Sequence, residues 1–352
     1  MRVSRRSLHE ERGAVATLLV LLGVVFLGML ALAVDGGLLL VKFRGVRTAN
    51  DAAALAAALS CATGEGQASA DGQADMLAAS NVSDAVTLAA AVYDPACDAP
   101  AGKVTVRYGG SQRLMFSPVV GVSSPKPVDA AATATWGAAG ASNRVSPLML
   151  DMNRMSDCQI PFGPDLYEGK VCTFWWDNDP DNLGNAAWGL MNLGLWGVSP
   201  GSGCSNAGQA QYQEWIEFGF PGVLELNAPD PTYVCRDSGF FGGALDRGIE
   251  KAIATGQPYA FPINDSTNQV DRNGAVCPPP CTPDKYYIVG FGWMKLTALY
   301  RRQDPEYATY CGAFPASANA RCLVAEWVGF STSGLAPGGG QNFGLISIGL
   351  TE

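Results

Sequence analysis

The chain has 352 residues, 48% of them hydrophobic and only 16% charged, with a net charge of −9. That length is enough for about two domains; the charged fraction falls below the ~25% of ordinary globular chains, and Ala, Gly and Pro fill the gap, which points to turns and small-residue packing rather than disorder. From Thr48 onward 29 acidic residues face 16 basic ones with no basic cluster, which argues against a nucleic-acid-binding face.

Residues 1–13 carry Arg2, Arg5, Arg6, Arg12 and His9, the only histidine. Ala14–Val34 follows as 21 residues without a charge. As a helix this run spans ~30 Å, the thickness of a hydrocarbon core, so 14–34 is predicted to be a transmembrane helix. Ala31-Leu32-Ala33 has the form of a signal-peptidase site, but the run exceeds the ~7–15 residues of a signal-peptide core, and a retained anchor is expected. Lys42, Arg44 and Arg47 nearly balance the arginines before the span, so the positive-inside rule hardly orients it.

The cysteines orient it better. All ten lie after the span: Cys61, Cys97, Cys158, Cys172, Cys204, Cys235, Cys277, Cys281, Cys311 and Cys322. An even number of scattered cysteines without metal spacing predicts disulfides in an oxidising compartment. Residues 1–13 are therefore expected in the cytoplasm and the bulk of the chain outside it. Connectivity is left open by the sequence. Cys277-Pro-Pro-Pro-Cys281 has one residue too many for a thioredoxin-type pair and is read as a stiff structural loop.

Beyond the span the composition favours helix again. Gly36 and Gly37 interrupt, but Ala49–Leu59 is rich in strong helix formers, so 35–62 reads as a helical extension. Residues 63–75, rich in Gly, Ser, Asp and Gln, read as a loop. Strands are expected at Ala85–Tyr93, Lys103–Tyr108 and Val128–Trp136, and 138–142 as a linker, which makes 63–142 a small β-containing unit. The remainder, 143–352, reads as a mostly β domain. Leu245, Ile249, Ala252 and Ile253 share a helical face stopped by Gly256, and β-rich runs cover Tyr259–Ile263, Tyr286–Tyr300, Cys322–Phe330 and Phe343–Leu350. The fold class is α+β: a membrane helix with an Ala-rich extension, then a disulfide-bonded, mostly β exported domain.

Chemistry is scarce. With no histidine after the span, Ser-His-Asp and Cys-His catalysis lack their base, and histidine-ligated zinc is excluded. No enzyme activity and no cofactor are expected, although a carboxylate pair could still hydrolyse glycosides. Asp177, Asp179 and Asp181 alternate like the first ligands of a calcium loop. However, Asn182 stands where that loop needs Gly and Trp188 where it needs Glu, so a polar turn is the preferred reading. Trp175, Trp176, Trp188, Trp196, Trp215, Trp293 and Trp327 could line a glycan-binding surface, with core packing as the default for most of them. Asp35, at the outer end of the span, reads as a helix boundary or a site for pairing with a partner helix.

Glu11-Arg-Gly-Ala14, the apolar helix, Val34-Asp-Gly-Gly37 and Thr48-Ala-Asn-Asp-Ala-Ala-Ala-Leu-Ala-Ala-Ala58 together resemble the N-terminal segment of TadE/TadG-like proteins. Asn182–Gly189, Phe261–Asp265 and Tyr287–Gly292 are similar to parts of the exported domain of some members. The resemblance implies a structural or assembly role beside Flp-type (tight-adherence) pili of a bacterial envelope. Implied partners are the membrane, other pilus-system proteins and further copies of the chain, with Gly23 and Gly28 as close-approach points for neighbouring helices. The fifth residue after Gly13 is Leu18, where processed pilins carry Glu, which again implies a retained anchor. An exported adhesin or glycan-binding module is the alternative, and a carboxylate-based hydrolase the third reading.

Overall fold

A computed structural model describes residues 7–82, 84, 86–153, 171–176, 188–226, 231–237, 243–278, 281, 283–311, 320–328, 336–337, 341–343 and 345–351. The chain opens with one uninterrupted helical rod. Helix α1 (Ser7–Leu30) passes through a single π-helical turn (Ala31–Asp35) into α2 (Gly36–Ala62). Gly36 keeps right-handed helical angles, so the expected interruption at Gly36-Gly37 does not occur. A glycine weakens a helix by only ~1 kcal/mol, whereas a break beside lipid would strand backbone polar groups.

From Val15 the rod is long and apolar enough to cross a membrane. Its side chains from Val15 to Leu30 are exposed in every direction, as a helix surrounded by lipid requires. From Val46 the rod acquires a buried face made almost wholly of alanine: Ala49, Ala53, Ala54, Ala57 and Ala58.

That face packs against α3 (Gln67–Asn81), a helix that starts within the stretch expected to be a loop. The polar residues that suggested a loop form its solvent side. Ala70, Ala74 and Ala78, four apart, are buried against the alanines of α2. Small side chains let the two axes approach closely, and tertiary packing overrides weak local propensity.

Both helices lie on a meander of β1 (Val86–Asp94), β2 (Gly102–Gln112) and β3 (Lys126–Ser142). The meander is antiparallel throughout. Stretch 138–142, expected to be a linker, instead continues β3, and Ala138, Ala139 and Ala141 are buried. Its small residues suit a strand covered on both sides. The disulfide Cys61–Cys97 staples the end of α2 to the β1–β2 connection. Trp136 fills the centre of this core and donates its indole N–H to the Ala99 carbonyl at 3.1 Å.

The second unit contains β4 (Leu148–Asp151), β5 (Val171–Trp176), β6 (Trp188–Trp196), α4 (Gln209–Phe218), β7 (Leu224–Glu225), β8 (Thr232–Arg236), α5 (Gly243–Thr255), β9 (Tyr259–Asn264) and β10 (Lys285–Arg301). It continues with α6 (Tyr307–Cys311), β11 (Arg321–Trp327), β12 (Ala336–Pro337), β13 (Gln341–Phe343) and β14 (Ile346–Thr351). Strands run in the order β5-β11-β10-β8-β6-β4-β9, and β9 pairs back onto β10, so five of them close into a ring. The 17-residue β10 is the axis of this arrangement. Leu245, Ile249 and Ala252 of α5 pack into the same core, with Gly256 ending the helix at φ +61°, as the sequence pattern required. β14, β12 and β7 cross to the first sheet and pair with β3. The whole is α+β, as expected.

Candidate functional site at the base of the anchor helix

Three polar residues of the rod, Asp35, Lys42 and Asn50, recur at intervals of seven and eight residues and so lie along one helical face. Each grips the sheet. The carboxylate of Asp35 accepts the backbone N–H groups of Met115, Phe116 and Ser117 at 2.8, 2.9 and 2.6 Å. These donors open the short 3₁₀ turn (Ser117–Val120) between β2 and β3. An anion suits free N–H groups at the start of a helical turn, and charge-assisted bonds are the stronger kind. Asp35 is consequently 1% exposed, although it borders the apolar span.

Seven residues on, the Lys42 ammonium pairs with Asp84, which also accepts the Ser111 backbone N–H at 2.8 Å. A Cβ on Gly110 would fall 2.9 Å from Lys42 Cε, so the glycine lets the lysine stem lie close over the strand. The hydrogen bond from Lys42 and that from Ser111 hold the Asp84 carboxyl down at about 2. Another two turns on, the Asn50 amide bonds to both the N–H and the carbonyl of Tyr108.

Helix α3 grips the same sheet with its own acids. Tyr93 donates to Asp71 at 2.7 Å and Tyr108 to Asp75 at 2.8 Å. Burial, then the adjoining carboxylates, push both phenols well above their ordinary range, so they remain donors at any physiological pH. These groups serve as mutual fasteners between helices and sheet.

The second unit contains a polar cluster that no spacing in the sequence announced. Tyr286 is buried, bonded to Arg236, with the Asp151 and Asp237 carboxylates nearby. Asp237 accepts the Tyr212 hydroxyl, and Asp151 accepts the Asn153 backbone N–H at 3.0 Å. Adjacent Asn264 accepts the Tyr287 N–H at 2.9 Å, and its buried Nδ2 has no partner among the described residues. Asp265 closes an Asx-type turn. Burial opposes its ionisation, but bonds from Thr267, Asn268 and Asn153 outweigh burial and lower its pKa.

Of the residues singled out from sequence, Asp177, Asp179 and Asp181 lie outside the described residues. Elsewhere, among the described residues, no group of three or more His, Cys, Asp or Glu side chains is placed to hold a metal ion. The cysteines pair as Cys61–Cys97, Cys204–Cys235, Cys277–Cys281 and Cys311–Cys322. Cys172 is disulfide-bonded as well, and Cys158 lies outside the described residues. Trp215 and Trp327 are buried, and Trp196 and Trp293 are half-buried against the same core. These four therefore pack rather than line an open surface. The side chains of Trp175, Trp176 and Trp188 are outside the described set.

Asp35 was legible only as a boundary or as a partner-helix contact; the structure turns it inward, onto the chain's own β2–β3 loop. Comparison of the chain with known protein families, curated proteins and solved structures yields no match.

Proposed function

We propose that this protein is an envelope-anchored structural component associated with assembly of a bacterial Flp-type pilus, its N-terminus cytoplasmic and its two β-rich units outside the membrane. The observation that carries the reading is mechanical. The apolar rod runs without a hinge into the exported core, and Asp35, Lys42 and Asn50 fasten it there at three successive levels. A domain held this way transmits load between the envelope and whatever it touches outside. The disulfides agree with an oxidising compartment. The N-terminal resemblance to TadE/TadG-like proteins supplies the system.

Deletion of the gene is expected to reduce Flp-type pili or surface attachment, read by electron microscopy. Wild-type and single-carboxylate variants with normal folding are both expected to restore them. Normal pili in the deletion strain would move the assignment to an adhesin. Loss of pili with one well-folded acid variant would move it to a hydrolase.

A further inference from the structure

Among the described residues, the β2–β3 connection meets the rod at Asp35, closer to the apolar run than the contacts of the sheet at Lys42 and Asn50. Asp35 immediately follows the uncharged run 14–34, and its three hydrogen bonds fix residues 115–117 at that depth. The meander itself begins higher, where Lys42 and Asn50 meet Asp84 and Tyr108. At 1.5 Å per residue, Asp35 lies about 10 Å nearer the membrane than Lys42.

The composition of that connection is unusual for a loop. Residues 114–125 (Leu-Met-Phe-Ser-Pro-Val-Val-Gly-Val-Ser-Ser-Pro) carry no charge. Met115 and Val119 are each 68% exposed, and Val122 is 39% exposed. Basic residues flank it in sequence, exposed Arg113 before the loop and half-buried Lys126 after it; exposed Arg44 and Arg47 stand farther along the rod, ~14 and ~18 Å past Asp35. Exposed Leu40, Val41 and Phe43 continue the apolar surface of the span past Asp35 on the rod itself.

An apolar loop tip flanked in sequence by cations and pinned at the end of a membrane span matches the two layers of a bilayer interface: acyl chains for the tip and phosphates for Arg113 and Lys126. We propose that the 115–122 loop inserts into the outer leaflet of the same membrane as a second, shallow anchor. Asp35 is the positioning residue that sets its depth. Two attachment points would fix the tilt and rotation of the exported domain, which one helix alone leaves free. This inference rests on the membrane-anchored reading of the rod.

The full-length protein in nanodiscs of phosphatidylethanolamine and phosphatidylglycerol provides the test. A benzophenone amino acid is placed singly at position 22 in the span, at 119 in the loop, and at exposed position 276 in the second unit. After irradiation, lipid adducts are read by intact mass. Lipid adducts are expected at 22 and 119, with position 276 about tenfold lower. In the Asp35→Ala background the adduct at 119 is expected to fall while that at 22 is unchanged. A Val119→Ser, Met115→Ser variant, which keeps the Asp35 bonds, is expected to release the domain from fixed tilt in polarised infrared spectra. A lipid adduct at 22 with none at 119, or a protein–protein adduct at 119, would overturn the loop proposal alone. Absence of lipid adducts at both 22 and 119 would overturn the anchored reading together with it.

Discussion

The side-chain amide of Asn50 and the backbone of Tyr108 exchange two hydrogen bonds, the Tyr108 N–H to Oδ1 at 2.8 Å and Nδ2 to the Tyr108 carbonyl at 3.2 Å. One side chain from a helix thus hydrogen-bonds the backbone of a strand residue that has Thr87 and Ala130 as its strand partners, and both Asn50 and Tyr108 are buried. Asn50→Ala would leave a buried donor and a buried acceptor unpaired. Each unmet group costs about 1–3 kcal/mol. Asn50→Asp would set a buried carboxylate against the Val46 and Tyr108 carbonyl oxygens and is expected to be at least as destabilising at neutral pH. Urea unfolding of the detergent-solubilised protein measures the order, and an unchanged midpoint for Asn50→Ala would show that the pairing contributes nothing.

The Cys61–Cys97 bridge closes 36 residues between the end of α2 and the sheet. Constraint of a loop that long is worth about 3–4 kcal/mol on the chain-entropy estimate. The double variant Cys61→Ser, Cys97→Ser is expected to lower the melting temperature of the membrane-proximal unit. Maleimide labelling of the denatured, unreduced wild-type protein should find few or no free thiols, and six or more labelled cysteines would contradict the oxidised state.

Acid should loosen the Lys42 rung. The Asp84 carboxyl sits at about 2 in the folded protein, below its ordinary 3.8. A depressed carboxyl contributes stability that is fully present above its unfolded pKa and is lost as pH falls from about 4 through 2. Asp84 is a surface group, so the effect is small. Acid unfolding curves of wild type and Asp84→Asn should converge at the low end of that window and separate above it. Parallel curves would remove Asp84 from the account.

Gly189 on β6 faces the Tyr286 hydroxyl so closely that an added Cβ would fall 2.3 Å from it. Gly189→Ala should therefore displace Tyr286 from Arg236 and cost about 1–3 kcal/mol. Tyr286→Phe removes the nearest clashing atom. A double-mutant cycle is expected to show the pair less destabilised than the sum of the singles, and strict additivity would disprove the contact.

Much of the fold could be read from residue order. The 21-residue uncharged run, the helix stopped at Gly256 and the β-rich runs at 259–263 and 286–300 each depend on local periodicity, and each appears where expected. Two of the misreadings, the loop at 63–75 and the linker at 138–142, share one cause. α3 and the end of β3 are built from Ala, Gly and Ser, residues whose structure is decided by what covers them. Ala70, Ala74 and Ala78 carried the helical spacing, but their signal is weak beside the Gly, Ser and Gln around them. The site was less legible still. Asp35 meets a loop 80 residues away, Lys42 an acid 42 away and Asn50 a strand 58 away. No local pattern encodes such pairings. The stripe at 35, 42 and 50 was the one available clue that these residues share a face.

The order in which the protein is made has a consequence for its folding. Ser347 on β14 pairs with Gly137 on β3, joining segments 210 residues apart. Residues 133–138 of β3 therefore present an open edge throughout synthesis of the second unit. Unpaired strand edges recruit stray strands, so this protein is most exposed to mispairing at its oldest part, and for longest. Premature stop codons anywhere between 143 and 345 would leave the 133–138 part of that edge permanently open. The expected fate of such fragments is aggregation at the membrane rather than release of a shortened, working protein.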